Sequence, residues 1–390
     1  MAVIDQAGAI VVGAYEHPTR KAPDKTVAQL HLECALGALA DAGLSLKDVD
    51  GYFCAGDAPG MGAIHLAEYL GIRPRHIDNT ELGGASYLSH LAHARDAIRN
   101  GRCSVALITL AGRPRSDAAL GKGPKPLGPH VPEDPYEAPY GINTVASYAL
   151  LAARHMHQYG TTSEQLAWIK VAASQHARHN PHAMLPTPVT VEDVLASPRV
   201  SDPLHRLDCC VISDGGGALV VVRPDIARAL KRPLIAVKGC GEAIKGHDGG
   251  RVDLSYTAAA WSGQAAFDEA GVRPADIRYA SIYDSFTITV LLQLEDLGFC
   301  KKGEGGRFVE DGQLIAGVGR LAVNTDGGGL CNNHPANRGG ITKLVEAVRQ
   351  LRGEAHPALQ IPDCDLALVQ GLGGRLAGRH GSATIILERC

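Results

Sequence analysis

Few aromatic residues and little net charge set the first limits on what this chain can be. Aromatic side chains make up 5% of the 390 residues, and 38 basic against 41 acidic residues leave a formal charge of -3. A charge this small excludes a protein that binds nucleic acid through a strongly basic surface, and no basic stretch is interleaved with aromatics. Hydrophobic residues make up 45% of the chain, which excludes a disordered protein. The length is sufficient for two packed cores.

The cysteines and the apolar runs indicate a compartment. The ten cysteines include no Cys-x-x-Cys pair and no zinc-finger spacing. Cys103 and the Cys209-Cys210 pair lie inside apolar runs, as buried thiols do in a reducing cytosol. No apolar run approaches the ~18 residues of a membrane span, and the first residues lack the basic stretch of a secretory signal. We therefore expect a cytoplasmic protein without membrane contact.

The sequence indicates neither a metal site nor a nucleotide-binding loop. His176, His179 and His182 have three-residue spacing, but Pro181 would interrupt a helix there. No carboxylate or cysteine completes a ligand set around them. The chain also lacks a phosphate-binding P-loop and a Gly-x-Ser-x-Gly nucleophile motif. We therefore expect no bound metal.

Two parts of the chain repeat one order of elements. Residues 38–52 and 266–280 both contain Ala-Gly, an apolar residue, three spacers, Asp and then Val or Ile, the pattern of a helix end that leads into a strand. Other matched pairs are the strand segments 9–15 and 233–240, the helices 88–98 and 341–351, the strands 104–112 and 365–374, and the strands 213–222 and 379–388. Apolar strands alternating with helices predict sheets covered on both faces. The sequence therefore predicts two similar α/β halves, 1–225 and 226–390.

The first half carries an extra stretch, about residues 112–205. It begins with a loop rich in proline, glycine and basic residues, and residues 161–165 (TTSEQ) have the Thr/Ser-x-x-Glu/Gln form of a helix start. An insertion of this length is usually a lid or a ligand cradle. Arg113, Lys122 and Lys125 are placed to meet phosphates, although a solvated loop is the simpler interpretation of each.

Two segments place chemistry at the ends of predicted elements. Residues 82–86 (LGGAS) stand directly before a helix, where the free N–H groups near Gly84 can bind an oxyanion. A tight turn that needs glycine for packing explains the same residues. Residues 281–287 (SIYDSFT) end a strand, and Tyr283 and Asp284 there offer a phenol and a carboxylate. A simple helix cap is the alternative role for Asp284.

Two further segments lie in the second half. Residues 324–335 (NTDGGGLCNNHP) combine three glycines with His334, which Pro335 holds in a loop before a helix. Imidazole is the usual general acid or base near neutral pH, and a structural histidine is the alternative. Residues 371–374 (GLGG) end the corresponding strand, where Gly371 and Gly373 can contribute a second oxyanion N–H.

Together these segments resemble the thiolase superfamily. The resemblance depends on the duplicated halves, the helix after GGAS, the YDSFT segment and the GGG…NHP loop, and residues 148–181 and 201–221 add to it. The most similar branch is that of sterol carrier protein X type thiolases and thiolase-like lipid-transfer proteins. It implies a five-layer αβαβα thiolase fold with an inserted loop domain. It also implies coenzyme A thioester substrates and a tight homodimer.

The sequence departs from the family at its nucleophiles. The reactive cysteine that begins the buried helix in family thiolases corresponds to Gly84, and the cysteine of the final Cys-x-Gly-Gly loop corresponds to Gly371. The histidine of the Gly-His-Pro motif is retained as His334, and the Asn or His of the oxyanion motif corresponds to Tyr283. Without a thiolate no acyl-enzyme can form at these positions.

The resemblance therefore implies a retro-aldol reaction. Cleaving a β-hydroxyacyl-CoA between its α and β carbons needs a base and an enolate site, but no nucleophile. Tyr283 or His334 would take the proton, while His334 and the N–H groups of Gly84 and Gly373 would hold the developing negative oxygen. Thiolase-like aldolases of steroid side-chain degradation share a tyrosine at this position and the lack of a nucleophile, but prefer another residue at the His334 position. They often act with a small OB-fold, zinc-ribbon partner.

Two alternatives remain open from the sequence. One is an acyltransferase that uses Cys331, three residues before His334, as its thiol, although a buried loop cysteine is the favoured interpretation. The other is a non-catalytic subunit that binds CoA or an acyl chain and stabilises a partner enzyme. In each case CoA enters as part of the substrate or ligand, and no covalently bound cofactor is expected.

Overall fold

Strands from both ends of the chain join in one large sheet. In the computed structural model, the described residues are 8–55, 58–120, 138–140, 143–335 and 339–390. The strands are β1 (Ile10–Glu16), β2 (Gly51–Phe53), β3 (His76–Asp78), β4 (Val105–Gly112), β5 (Arg199–Ser201), β6 (Leu204–His205), β7 (Gly215–Val222), β8 (Ile235–Lys245), β9 (Tyr279–Ile282), β10 (Ala322–Val323), β11 (Leu366–Gly374) and β12 (His380–Arg389). Strands β5 and β6 form a separate hairpin.

The order of the large sheet is symmetric about its centre. It runs β10-β9-β11-β12-β8-β1-β7-β4-β2-β3, and β1 meets β8 through Ile10 and Val11. Strand β2 pairs in parallel with β3 and β4, as β9 does with β10 and β11. Closer to the centre, β7 is antiparallel to β4 and β12 is antiparallel to β11. This symmetry supports an internal duplication, and we propose that the two halves divide near residue 225.

Helices form the layers on either side of each half-sheet. They are α1 (Val27–Ala42), α2 (Ala63–Leu70), α3 (Ser86–Arg99), α4 (Pro114–Ala119), α5 (Thr144–Tyr159), α6 (Ser163–Ala177), α7 (Val191–Ala196), α8 (Pro224–Ala229), α9 (Ala259–Ala270), α10 (Thr287–Asp296), α11 (Gly305–Val309), α12 (Gly328–Cys331) and α13 (Gly340–Arg352). None of these helices has the length and hydropathy of a membrane span.

Helices α3 and α13 lie between the two half-sheets. Each contacts strands of both halves, while α1 and α9 cover the outer faces. Leu91 of α3 and Leu344 of α13 therefore share one core with Ile108 of β4 and Val369 of β11. The result is the five-layer αβαβα arrangement. The first residues of both central helices are buried, so each helix begins inside the protein.

The insertion packs against the elements that frame the site. Helix α6 begins as predicted, since Thr162 Oγ1 accepts the Gln165 N–H at 3.3 Å and Gln165 Oε1 accepts the Thr162 N–H at 3.1 Å. Helix α6 contacts α10 and α12. Arg113 forms an ion pair with Asp117 at 3.0 Å, so its guanidinium is engaged within the protein. Lys122 and Lys125 lie outside the described residues.

The histidines of the insertion do not assemble a metal site. The His176 ring is buried, with Nδ1 3.2 Å from the Asn324 carbonyl oxygen and Nε2 accepting the Ala316 N–H at 2.9 Å. His179 instead packs against the ring of His356. Across the described ranges, no group of three or more His, Cys, Asp or Glu side chains could hold a metal ion.

Candidate active site

Three strand ends and one helix start meet at one edge of the second half-sheet. Strands β9, β10 and β11 are parallel, so their carboxyl ends lie at the same edge. Tyr283 follows β9, the glycine-rich loop 324–335 follows β10, and Gly371 and Gly373 lie in the last part of β11. The first half contributes the 3₁₀ turn Gly83–Ala85 that leads into α3. Segments far apart in sequence therefore converge.

The structure brings Tyr283 and His334 together. The Tyr283 hydroxyl lies 2.9 Å from Nε2 of His334, and the ring centroids are 5.6 Å apart in an edge-on arrangement. Tyr283 is 4% exposed and His334 is 8% exposed. A phenol and an imidazole in hydrogen-bond contact can pass a proton between them, in a place that excludes most water.

The His334 ring is neutral at physiological pH. Burial lowers its pKa to about 4, and the positive charge of Lys343 acts in the same direction. The first residues of α3 and α13 also meet at this point, since a Cβ on Gly340 would lie 2.0 Å from the Gly84 carbonyl oxygen. Two helix N-termini favour negative over positive charge nearby. The site therefore suits a developing oxyanion better than a persistent imidazolium.

Gly84 leaves no room for a side chain. A Cβ at this position would lie 2.3 Å from the Leu372 carbonyl oxygen and 2.3 Å from Cε2 of Tyr283. The phenol ring occupies the volume that a cysteine would need. The Tyr283 ring can occupy this place only because residue 84 is a glycine. A nucleophilic side chain at the start of α3 is therefore absent from the sequence and would also not fit.

Gly371 and Gly373 let strand β11 lie against this turn. A Cβ on Gly373 would be 1.7 Å from the Leu82 carbonyl oxygen, and one on Gly371 would be 3.0 Å from the Gly84 carbonyl oxygen. Gly373 therefore requires glycine for close approach, whereas a side chain at position 371 would need its neighbours to shift by a few tenths of an ångström. Their role as oxyanion donors stays a prediction.

The ion pair and hydrogen bonds of Asp284 occupy its carboxylate and leave it poorly suited to act as a base. One carboxylate oxygen lies 2.6 Å from Nζ of Lys343, and both side chains are 1% exposed. The carboxylate also accepts the N–H groups of Gly329 at 2.8 Å and Leu330 at 3.1 Å. Asp284 thus caps the short helix α12 in the glycine-rich loop. The helix-cap alternative describes this residue well, although the helix is not the one that follows it in sequence.

Cys331 is completely buried within α12. Its exposure is 0%, and burial raises the pKa of its thiol. Nζ of the buried Lys170 donates to the neighbouring Leu330 carbonyl oxygen at 2.7 Å and acts against that rise. A protonated, enclosed thiol is a poor nucleophile. These contacts count against the acyltransferase alternative.

Sequence reasoning missed Lys343 and Ser213. Lys343 lies within a buried helix, and a buried charge needs a partner. A lysine in a helix of this kind was therefore the available sign of a buried ion pair. Ser213 precedes the glycines of β7, and its Oγ accepts the His334 backbone N–H at 2.9 Å. No local pattern marks a serine of this kind, because its partner lies in the other half of the chain.

Comparisons with known proteins agree with this architecture. Residues 243–389 match the family model "Thiolase C-terminal domain-like". The chain is 33% identical to an acetyl-CoA acetyltransferase of Methanothermobacter thermautotrophicus, over 93% of this chain and 96% of the relative. It is 34% identical to the 17-hydroxy-3-oxo-4-pregnene-20-carboxyl-CoA lyase of Mycobacterium tuberculosis, over 89% and 92% of the two chains.

A solved structure is similar over almost the whole length. The Ltp2-ChsH2(DUF35) aldolase matches with a TM-score of 0.88 and 33% identity, over 98% of each chain. The fold predicted from the sequence is therefore confirmed.

Proposed function

This chain belongs to the thiolase superfamily, and from that premise we propose that it is an aldol lyase, which cleaves a β-hydroxyacyl-CoA between its α and β carbons. The observation that carries the proposal is the Tyr283–His334 contact of 2.9 Å beside a Gly84 that admits no nucleophile. A relative that is a carboxyl-CoA lyase and a structural neighbour that is an aldolase support it.

The proposed reaction relays a proton away from the substrate and shifts two electron pairs: the O–H pair forms the new carbonyl, and the Cα–Cβ pair forms the enolate. The β-hydroxyl gives its proton to Tyr283 as Tyr283 passes its own proton to Nε2 of His334. The electrons of the Cα–Cβ bond become the thioester enolate, and the β carbon becomes a carbonyl. Because burial lowers the pKa of the His334 ring, the imidazolium gives up its proton readily and returns it, through Tyr283, to the α carbon. The products are a ketone or aldehyde and a shortened acyl-CoA.

Enolate stabilisation is assigned to backbone N–H groups beside the two helix starts. We propose that the thioester oxygen lies near the N-terminal ends of α3 and α13 and the last residues of β11, within reach of N–H groups at Gly84 and Gly373. Burial of the Tyr283–His334 pair strengthens such hydrogen bonds because it lowers the local dielectric. Asp284 and Lys343 would hold the loop that carries His334 and would not touch the substrate.

The test is a product assay with the purified protein. A tertiary β-hydroxyacyl-CoA should yield a ketone and the shortened acyl-CoA, both detected by liquid chromatography and mass spectrometry. Activity should fall in Tyr283→Phe and His334→Gln and persist in Cys331→Ser. Thiolysis of a β-ketoacyl-CoA that is abolished by alkylating Cys331 would overturn the proposal in favour of acyl transfer. CoA binding without turnover under any pairing would favour the non-catalytic alternative.

We further propose two protein partners. The similar solved structure contains a DUF35 protein, and we expect a small partner of that OB-fold, zinc-ribbon kind to raise the activity of this chain. A second copy of the chain is expected to pair at the edge strand β3, where Ile77 is 50% exposed. Assays with and without the partner, and light scattering of the purified chain, test the two proposals separately.

A further inference from the structure

The residues just before His334 are held by the opposite end of the chain. Glu16 ends β1, and its side chain is 5% exposed. Its Oε1 accepts an N–H of Asn332 at 3.1 Å and one of Asn333 at 3.2 Å. A carboxylate from the first strand therefore fixes the two residues on which the position of the imidazole depends.

Arg20 strengthens the hold on Asn332. Its Nη2 donates to Glu16 Oε1 and to Asn332 Oδ1, each at 2.7 Å. Its Nε donates to the Asn332 carbonyl oxygen at 3.1 Å. One guanidinium thus binds the side chain and the backbone of one loop residue together, which restricts that residue in both position and rotation.

Ser213 extends the hold to His334 itself. Its hydroxyl donates to Asn333 Oδ1 at 2.6 Å and accepts the His334 backbone N–H at 2.9 Å. Ser213 is 0% exposed, so water cannot replace it. The serine connects the start of β7 directly to the backbone of the candidate acid–base residue.

The Glu16 carboxylate is held in its charged form. Burial alone would raise the pKa of Glu16, but Arg20 and Arg349, together with the hydrogen bonds from Asn332 and Asn333, outweigh burial and leave the pKa below its usual value. Arg349 of α13 lies 3.2 Å from the second Glu16 oxygen. Glu16 therefore acts as a permanent anion between two cations.

Tyr283 is anchored by the second half instead. Its N–H donates to the Gln370 carbonyl oxygen at 3.0 Å, and its carbonyl oxygen accepts an N–H of Gln293 at 2.7 Å. The loop that carries the imidazole is thus held from both halves, whereas the backbone of Tyr283 is held by the second half. The contact between the phenol and the imidazole is set by how the halves meet.

We infer that Glu16, Arg20 and Ser213 form a positioning clamp from the first half that keeps His334 in hydrogen-bond contact with Tyr283. None of the three touches the reacting pair's side-chain atoms, so they are positioning residues. The expected loss of kcat rests on the proposed function, whereas the expected loss of the Tyr283–His334 contact does not. A displacement of about 1 Å in a reacting group can cost about 100-fold in rate.

The test compares Ser213→Ala with Ser174→Ala. Ser174 is equally buried, and its hydroxyl also accepts a backbone N–H, that of Val189 at 3.0 Å, but within the insertion. Both variants lose one such contact, so both should lose a similar amount of stability. Ser213→Ala should lower kcat about 10- to 100-fold with KM changed less than about three-fold, while Ser174→Ala should keep both values. Equal kinetic losses in the two variants would overturn the clamp.

A spectroscopic readout separates the clamp from the reaction. With 3-fluorotyrosine incorporated at position 283, the ¹⁹F resonance reports the hydrogen bond to His334. It should shift in Ser213→Ala and Glu16→Gln and stay unchanged in Ser174→Ala. An unshifted resonance in Ser213→Ala would refute the clamp even if the enzyme is active. A shifted resonance in a protein without lyase activity would support the clamp and refute the proposed function.

A double variant checks that the members act as one unit. Ser213→Ala and Glu16→Gln both release the segment that carries His334, so their combined loss of kcat should be smaller than the product of the single losses. Losses that multiply would indicate two independent effects and would contradict a shared clamp.

Discussion

Strands β2 and β9 hold equivalent places in the two halves of the sheet, each between two parallel neighbours, but the residues that follow them differ in chemistry. Cys54 follows β2, and its thiol donates to Asn79 Oδ1 at 3.2 Å. Tyr283 follows β9 and meets His334 at 2.9 Å. The segment just after the strand thus carries a local hydrogen bond in one half and a member of the candidate acid–base pair in the other.

The two halves contribute different things to one site. The second half supplies the side chains that can move protons, Tyr283 and His334. The first half supplies shape and anchoring: a backbone without a side chain at Gly84, and the clamp of Glu16, Arg20 and Ser213. A duplicated fold lets one copy change its chemistry while the other keeps the frame. Variants of the same residue type inside and outside the site test this division.

The largest effect is expected from removing one hydroxyl. Tyr283→Phe should lower kcat for C–C cleavage about 1,000-fold, because it removes the atom that takes the substrate proton. Tyr52 of β2 is the control, since it is 0% exposed and its hydroxyl lies 2.8 Å from Thr109 Oγ1. Tyr52→Phe should cost about 1 kcal/mol of stability and leave kcat within about two-fold. Equal losses of kcat in Tyr283→Phe and Tyr52→Phe would contradict the assignment of proton transfer to the second half.

The next effect concerns the space beside the phenol. Gly84→Ala should lower activity about 100-fold and reduce the free energy of unfolding by about 1–3 kcal/mol, because the new methyl group overlaps the Tyr283 ring and the Leu372 carbonyl oxygen. Gly246→Ala is the control, since a Cβ there meets no atom within 4 Å. Thermal unfolding and steady-state rates measure both. A Gly84→Ala enzyme with normal activity and melting temperature would show that the ring does not fill this volume.

His334 and His90 separate stability from catalysis. Burial lowers the pKa of each ring from an ordinary 6.5 to about 4. Between pH 6.5 and pH 4 the unfolded chain binds a proton that the folded chain does not. Each histidine therefore leaves the free energy of unfolding unreduced above pH 6.5 and lowers it progressively as the pH falls towards 4. The full shift corresponds to about 3 kcal/mol for each histidine.

Replacing either histidine should therefore flatten the acid side of the stability curve. His334→Gln and His90→Gln should each lose part of the dependence on pH between 6.5 and 4 in denaturant titrations. Only the His334 variant should also lower kcat, by about 10- to 100-fold. A comparable loss of kcat in His90→Gln would place chemistry in the first half as well.

Sequence patterns predicted the fold better than the roles of individual side chains. The repeated order of helices and strands was enough for the layered fold, because period and turn residues are local signals. The convergence of Tyr283, His334 and Gly84 was predictable, because these residues lie at the ends of predicted elements and match site positions of the resembling family. The Asp284–Lys343 ion pair and the Ser213 contact were not predictable, because each joins residues that only the packing of the halves brings together.

The smallest effect is expected at Cys331, where the acyltransferase alternative is decided. Cys331→Ser should leave kcat within about two-fold, because the thiol is enclosed and burial raises its pKa, which keeps it protonated. Cys103 in the first half is the matched control, with 0% exposure and a pKa raised by burial to about 11. Cys103→Ser should lose about 1–3 kcal/mol of stability, because it buries a hydroxyl in an apolar site, and Cys331→Ser should lose less, because the Lys170 ammonium lies beside it. A loss of about 1,000-fold in kcat for Cys331→Ser alone would identify Cys331 as the nucleophile and assign the reaction to acyl transfer.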